Sequence, residues 1–133
     1  MVYRDTFTFR SGDDGGHLWV VASDPDLNSS QVLIVNFTTV RGVRSEDLSC
    51  VVEPDDHPWL TKNSYVVFAI ARIPTLAYLD ALEVSKTIRL EAPLSPAVMT
   101  RIHAGAACSA NLKFAILALL ETQGFISPDI GSA

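Results

Sequence analysis

The sequence predicts a single α+β domain, in which a small β-barrel core is followed by C-terminal helices. Short apolar segments of strand length, separated by turn residues, occupy most of the chain before Pro74. After residue 94 the apolar residues recur with helical spacing instead. With 133 residues, 48% of them hydrophobic, the chain has the size of one domain and enough apolar residues for a core. We expect this domain to cover residues 1–125 and residues 126–133 to form a loose tail.

The first half of the chain is expected to form five strands. Phe7 to Arg10 alternates between apolar and polar residues, which is typical of a strand with one buried face. Residues 18–22 are apolar throughout, which favours a strand covered on both faces. The five expected strands lie within residues 3–10, 18–22, 31–39, 48–53 and 64–73.

The chain changes character after Pro74. Leucines spaced three apart predict a short helix over residues 75–83, and residues 86–91 alternate as a strand that returns to the sheet. Ser95 followed by Pro96 is the pattern of a helix N-cap and first helical residue. A last helix is expected between Ser109, as its cap, and Gly124, at its end.

Composition limits the classes of function. The net charge of −5 argues mildly against a strong nucleic-acid binder, because Lys and Arg neutralise phosphates, although a local basic cleft remains compatible with it. Cys50 and Cys108 form no metal-binding motif, so we expect small buried thiols in a reducing compartment. No signal peptide or run of about 18 apolar residues occurs, which predicts a cytoplasmic protein with no membrane contact. No cofactor or metal motif is found.

Asp55-Asp56-His57-Pro58-Trp59 is the most unusual segment for chemistry. A histidine beside carboxylates is suited to general acid–base work near neutral pH, and the two aspartates could hold the ring of His57. The alternative is a rigid loop in which Trp59 packs as a hydrophobic plug.

Polar residues at the ends of the expected strands are further candidates. Arg41 and Arg44 carry guanidinium groups that bind phosphate oxygens, and Thr38 and Thr39 could donate hydroxyl hydrogen bonds. The alternatives are solvated loop charges, partly paired with neighbouring acids, and threonines that simply end a strand.

His17 and Arg72 complete the candidate site. His17 stands at a strand entrance, where it could contact a ligand or only hydrogen-bond a turn. Arg72 lies late in the fifth expected strand and faces either a cleft or solvent.

The order of these strands, loops and helical segments resembles that of the MazF/PemK/Kid toxins over roughly residues 5–120. The resemblance is carried by GGHLWVVAS, VLIVNFTT, SYVVFAIARI and the helical segment that opens with LSPAVMTRI. Thr38 and Thr39 fall on the family's Thr-Thr or Thr-Ser, whereas the family's Arg-Pro is absent at residues 17–18. The resemblance implies an SH3-like barrel and a homodimer that cuts single-stranded RNA without a metal and is neutralised by an antitoxin.

The leading functional hypothesis is therefore the toxin of a type II toxin–antitoxin system, a metal-independent endoribonuclease. His57, Arg41 and Thr39 would be catalytic in it, and Thr38, Arg44, His17 and Arg72 would bind the RNA. The alternative is a catalytically inactive SH3-like module that binds a protein or peptide partner. The apolar FAILALL segment, residues 114–120, independently predicts a homodimer, because a helix that is hydrophobic nearly all round usually buries both sides.

Overall fold

A computed structural model of the protein describes residues 1–10, 16–27 and 30–127. These ranges contain six strands and three α-helices. The strands are β1 (Thr6–Phe9), β2 (Trp19–Val21), β3 (Ile34–Thr39), β4 (Val51–Val52), β5 (Ser64–Val66) and β6 (Ile88–Glu91). The helices are α1 (Leu76–Val84), α2 (Pro96–Cys108) and α3 (Phe114–Thr122), and short 3-10 turns occupy Pro54–Asp56 and Phe68–Ile70.

The six strands form one antiparallel sheet in the order β4-β5-β3-β2-β1-β6. The predicted α+β class is confirmed, but the predicted barrel is wrong, because β4 and β6 lie at opposite edges of the described sheet and do not pair. Helices also cover both faces of the sheet, whereas a closed barrel turns one face inward. The molecule is therefore a three-layer arrangement with the sheet in the middle.

The two faces of the sheet carry separate cores, because side chains alternate along each strand. Trp19 and Val21 of β2 pack towards α1, together with Leu79, whereas Val20 packs towards α2 and α3. The larger core includes Val98, Met99, Ile102 and Ala106 of α2 and Ile116 and Leu120 of α3. We call the two sides of the sheet the α1 face and the α2/α3 face.

The fifth expected strand is shorter than the sequence predicts. Strand β5 ends at Val66, and the chain then turns through Phe68–Ile70, burying Phe68 in the larger core. Pairing resumes with an isolated bridge from Arg72 to Ile34. A continuous apolar segment does not distinguish a strand from a buried turn, so the interruption has no sequence signal.

The two predicted C-terminal helices are confirmed, but the second one begins later than the sequence predicts. Ser95 caps α2 by accepting a hydrogen bond from the Val98 backbone N–H at 3.2 Å. Ser109 does not start α3, because its hydroxyl donates to Asp47 Oδ2 at 2.5 Å and the helix begins at Phe114. Ile126 is buried in the larger core, and the expected tail beyond residue 127 lies outside the described residues.

None of the described helices has the length and apolar character needed to cross a lipid bilayer.

Candidate functional site

His57 is buried, with only 2% of its surface exposed, and both of its ring nitrogens are engaged. The Trp59 backbone N–H donates to Nδ1 at 3.0 Å, so the proton resides on Nε2. Nε2 in turn donates to the carbonyl oxygen of Ala92 at 2.5 Å and lies 3.2 Å from Thr6 Oγ1. His57 therefore connects its own loop to the segment after β6 and to β1.

The expected pairing of His57 with its neighbouring aspartates is not formed. Asp56 Oδ1 accepts from Arg101 at 3.0 Å, and its Oδ2 accepts from the Glu53 backbone N–H at 2.8 Å. Asp55 is exposed in the 3-10 turn. The carboxylates of this segment organise the turn and anchor it to α2, and they leave the imidazole to backbone partners.

Thr38 and Thr39 point to opposite faces of the sheet, because they are consecutive residues of β3. Thr38 Oγ1 lies 3.5 Å from His17 Nδ1, which donates to the Phe37 carbonyl oxygen at 3.1 Å. Thr39 pairs in register with Ser64 of β5. The two hydroxyl groups therefore cannot both contact one small ligand.

Arg72 lies on the α1 face, where its guanidinium carbon is 5.6 Å from the centre of the Trp19 ring. This distance is within the range of a cation–π contact. Trp19 is paired in register with Asn36, whose buried Oδ1 has no hydrogen-bond partner among the described residues. His17, Thr38 and Arg72 thus share one side of the sheet, as three of the seven predicted site residues.

Arg41 and Arg44 lie in the exposed loop that follows β3. The carboxylate of Glu46 accepts from the backbone N–H groups of Arg41, Gly42 and Val43 at 2.8, 2.9 and 3.3 Å. The Glu46 carboxylate therefore binds the backbone N–H groups of this loop and not, as the sequence suggested, the guanidinium groups. These N–H groups are thus already occupied by an anionic side chain. Neither arginine takes part in the hydrogen bonds of His57.

A cavity lies elsewhere, between the N-terminal segment, α2 and the residues after α3. It has a volume of about 540 Å³ and opens to solvent. It is lined by Tyr3, Arg4, Pro96, Thr100, His103, Ala104, Ala107, Gly124, Phe125, Ile126 and Ser127. We call this cavity the aromatic cleft, because three of its residues carry stacked rings.

The ring wall of the aromatic cleft is made by Tyr3, His103 and Phe125. The Phe125 ring lies 5.0 Å from that of Tyr3 and 4.2 Å from that of His103, centre to centre. The planes of the Tyr3 and His103 rings differ by only 7°. The three rings are therefore nearly parallel and pack against one another at one side of the cleft.

Local backbone geometry places these rings. Arg4 has a φ of 77°, which is unusual for a residue with a side chain, and Gly124 has a φ of 80° just after α3. These turns direct Tyr3 and Phe125 towards α2. Ala104 and Ala107 of α2 line the same cleft with small side chains that leave the space open.

His103 is a neutral imidazole that lines the aromatic cleft. Its Nε2 donates to the Ala22 carbonyl oxygen at 2.9 Å, and burial lowers the pKa of the ring below its ordinary value despite that hydrogen bond. Nδ1 therefore carries a lone pair. None of the described residues donates a hydrogen bond to Nδ1.

Tyr3 supplies a second polar group to the cleft. Burial raises the pKa of the Tyr3 phenol above its ordinary value, an effect that the charge of Arg4 partly opposes. The phenol is therefore neutral at physiological pH. The cleft combines apolar walls with a few polar groups, which is the usual make-up of a ligand site.

A smaller cavity of about 290 Å³ is lined by both cysteines, together with Arg101 and Gly105. Burial raises the pKa of the Cys50 thiol to about 11, so this group stays protonated and unreactive near neutral pH. Cys108 is exposed, so the expectation of two buried thiols is confirmed for Cys50 and wrong for Cys108. No group of three or more potential metal ligands occurs within residues 1–10, 16–27 and 30–127.

Sequence reasoning missed the aromatic cleft because its three rings come from segments far apart in the chain. The available signal is the small-residue segment HAGAAC at residues 103–108. A helix with so few bulky side chains cannot fill the space beside it. The histidine at the start of this segment therefore lies next to an open cavity.

Comparison with known proteins gives no relative: no protein-family model, curated protein or solved structure matches the chain.

Proposed function

We propose that the protein is a non-catalytic binding module, and that the aromatic cleft receives a side chain of a protein or peptide partner. The observation that supports this proposal is the cleft itself, with a volume of about 540 Å³ and a wall of three stacked rings. Cavities of roughly 300–1,000 Å³ with apolar walls and few polar groups are typical ligand sites. The bonding of both His57 nitrogens also weighs against the catalytic alternative.

Filling the cleft tests this proposal. Ala107 lines the cleft and is exposed on α2, so Ala107→Trp adds bulk there without disturbing the core. Peptides selected from a random phage-displayed library on the wild-type protein should lose at least about tenfold in affinity for the Ala107→Trp variant.

The matched control is Ala77→Trp, an exposed alanine of α1 on the other side of the sheet. This variant should bind the selected peptides as the wild type does, as measured by fluorescence polarisation. If both variants bind equally well, or if the library yields no binder, the aromatic cleft is not a docking site.

The endoribonuclease hypothesis is retained as the second candidate, with a different set of residues. It is supported by the proximity of His17 and Thr38 on the α1 face, the same side as Arg72. An imidazole, a hydroxyl and a guanidinium are groups that RNA cleavage can use as base, hydrogen-bond donor and phosphate ligand. His57, Thr39, Arg41 and Arg44 have no part in this arrangement.

A cleavage assay decides between the two candidates. Purified protein would be incubated with a mixture of single-stranded RNAs in the presence of EDTA, and the products resolved on a denaturing gel. Cleavage that is lost in His17→Ala and kept in Ala107→Trp would support the toxin, together with growth arrest on induced expression. Intact RNA at micromolar protein rejects it.

A further inference from the structure

We propose that the loop after β3 binds a phosphate group on a partner peptide, and that Glu46 occupies this site until the phosphate displaces it. The loop covers residues 41–46, and we call it the anion loop. This inference goes beyond the proposed function, because no residue that lines the aromatic cleft belongs to the anion loop.

The backbone of the anion loop forms a cradle for an oxyanion. The N–H groups of three consecutive residues, Arg41, Gly42 and Val43, donate to the Glu46 carboxylate at 2.8, 2.9 and 3.3 Å. Neighbouring N–H groups that converge in this way bind phosphate and other anions in proteins. Glu46 uses both of its carboxylate oxygens, so the cradle fits an anion with at least two oxygen atoms.

Two guanidinium groups of the anion loop remain for a second, more highly charged anion. Arg41 and Arg44 are exposed, and neither guanidinium group forms an ion pair or a hydrogen bond within the part of the chain that the structure describes. A phosphate monoester carries about 1.5–2 negative charges and three acceptor oxygens. It can therefore accept from the backbone cradle and from the arginines together, whereas the carboxylate accepts from the backbone alone.

Both ends of the anion loop are anchored, which holds the cradle in place. The Val40 backbone N–H donates to the Asn63 carbonyl oxygen at 2.9 Å before the loop begins. Directly after the loop, Asp47 accepts from the hydroxyl of Ser109 at 2.5 Å, which ties the chain to the end of α2. Exchange of the carboxylate for a phosphate therefore requires the rotation of one side chain, that of Glu46.

Gly42 allows the backbone to adopt the cradle conformation. Its φ is 80°, a value that residues with a side chain rarely adopt. A Cβ added at this position would meet no atom within 4 Å. Gly42→Val therefore disfavours the cradle through the backbone alone, without a steric clash elsewhere.

A single phosphate group fits the anion loop better than a nucleic acid strand does. A strand presents a phosphate at every nucleotide, and its affinity grows with the number of Lys and Arg side chains that contact them. The anion loop offers two arginines, in a chain whose net charge is −5. The ligand is therefore a phosphorylated side chain of a protein partner.

A phosphorylated peptide and its unmodified counterpart test the inference. Acetyl-alanyl-phosphoseryl-alanine amide and the same peptide with serine would be titrated into ¹⁵N-labelled protein at pH 7.5 and constant ionic strength. By NMR, the phosphopeptide should shift the backbone amide signals of Arg41, Gly42 and Val43, whereas the serine peptide should not. Glu46→Ala should bind the phosphopeptide about five- to tenfold more tightly, because the competing carboxylate is gone.

Three further variants locate the bound phosphate. Gly42→Val, made in the Glu46→Ala protein, should remove the gain in affinity, because it disfavours the cradle. Arg44→Gln should weaken binding about threefold, since one exposed guanidinium contact is lost. Lys86→Gln removes a positive charge from the exposed turn before β6 and is the matched control, so it should bind as the wild type does.

The outcomes that overturn the inference are distinct. If the phosphopeptide binds Glu46→Ala no more tightly than the wild type, or if the serine peptide binds equally well, the anion loop is not a phosphate site that Glu46 occupies. Tighter binding of a 5′-phosphorylated oligouridine than of the phosphopeptide overturns the assignment to a protein partner. Ala107→Trp should leave these titrations unchanged, so a failure at the anion loop does not bear on the aromatic cleft.

Discussion

At the scale of single residues, the imidazole of His57 joins three parts of the chain through its two nitrogens. Its partners are the Trp59 N–H, the Ala92 carbonyl and, beside them, the Thr6 hydroxyl. A buried group with this many backbone contacts is a structural element of the fold. The two aspartates before His57 belong to the 3-10 turn that precedes it. This turn places His57 beside Thr6 of β1.

Replacing His57 by Ala should lower the free energy of unfolding by about 2–4 kcal/mol, because an almost fully buried imidazole is removed and the Trp59 N–H loses its acceptor. Urea unfolding followed by circular dichroism measures the loss. His17→Ala is the control at a half-buried histidine and should cost clearly less. A His57→Ala protein as stable as the wild type would contradict the structural role and return His57 to the list of catalytic candidates.

The stability of the protein should depend on pH through His103. Because the pKa of His103 in the folded state is lower than its ordinary value of 6.5, the unfolded chain takes up the proton first as the pH falls. The contribution of the neutral His103 to the free energy of unfolding is therefore present in full well above pH 6.5 and is lost as the pH falls below that value towards the lower pKa of the folded state.

Thermal unfolding at pH 8 and pH 5.5 tests this dependence. The fall in Tm between the two pH values should be smaller in His103→Gln than in the wild type. Asp47 does not confuse the result, because hydrogen bonds from Ser109, Ser49 and Asn111 outweigh burial and lower its pKa below 3.8, so its contribution is lost only in more acidic solution. Identical falls in the two proteins would contradict the burial of a neutral His103.

At the scale of elements, α2 approaches the loop before β4 through Gly105. A side-chain carbon on Gly105 would lie 2.7 Å from Cys50 Cβ and 2.8 Å from the Ser49 carbonyl oxygen. Helix α2 runs through this glycine, and only a residue without a side chain leaves room for the contact.

Gly105→Ala should therefore destabilise the protein by about 1–3 kcal/mol, although alanine is the better helix former. The obstructing atom on one side is a backbone oxygen, which cannot move aside without displacing the loop. Thr100→Ala, at an exposed site of the same helix, should change stability by less than about 1 kcal/mol. Chemical unfolding measures both, and a stabilised Gly105→Ala protein would show that the contact is looser than described.

Strand β6 forms one edge of the sheet and has backbone groups available for pairing. Arg10 N donates to Thr87 O, so in the register of β1 and β6 the residues that face β1 are 87, 89 and 91. The N–H and C=O groups of Ile88 and Leu90 then point away from the sheet. If two copies pair antiparallel about Leu90, Arg89 of each copy lies opposite Glu91 of the other.

At the scale of the whole molecule, we expect a homodimer that pairs through β6 in this register. This register places Arg89 opposite Glu91 of the other copy twice, which is favourable. A pairing centred on Arg89 would instead place the two Arg89 side chains opposite each other. Arg89→Glu should weaken the dimer about tenfold or more, and adding Glu91→Arg should restore it. Analytical ultracentrifugation measures the three dissociation constants. A wild-type protein that remains monomeric at about 100 μM rejects the dimer.

The order of strands and helices was predictable from the sequence, but the shape of the sheet was not. Strand signals are local, whereas closure into a barrel depends on which strands pair, and β1 finds one of its partners in β6, far along the chain. His17 and Thr38 lie at the ends of neighbouring strands, which is why the sequence could place them close together. Thr39 lies outside their group because consecutive residues of a strand point to opposite faces of the sheet. The aromatic cleft depends on contacts between residues near 3, 103 and 125, which no local pattern encodes.

The pairing of β1 with β6 also has a consequence for synthesis. Thr6 pairs with Glu91, so β1 lacks its partner β6 at that edge of the sheet while the ribosome makes the intervening residues. During that interval β1 offers an open edge in the nascent chain, which is the kind of surface that chaperones protect and that aggregates otherwise use. Overproduction should therefore give more soluble protein when chaperones are abundant.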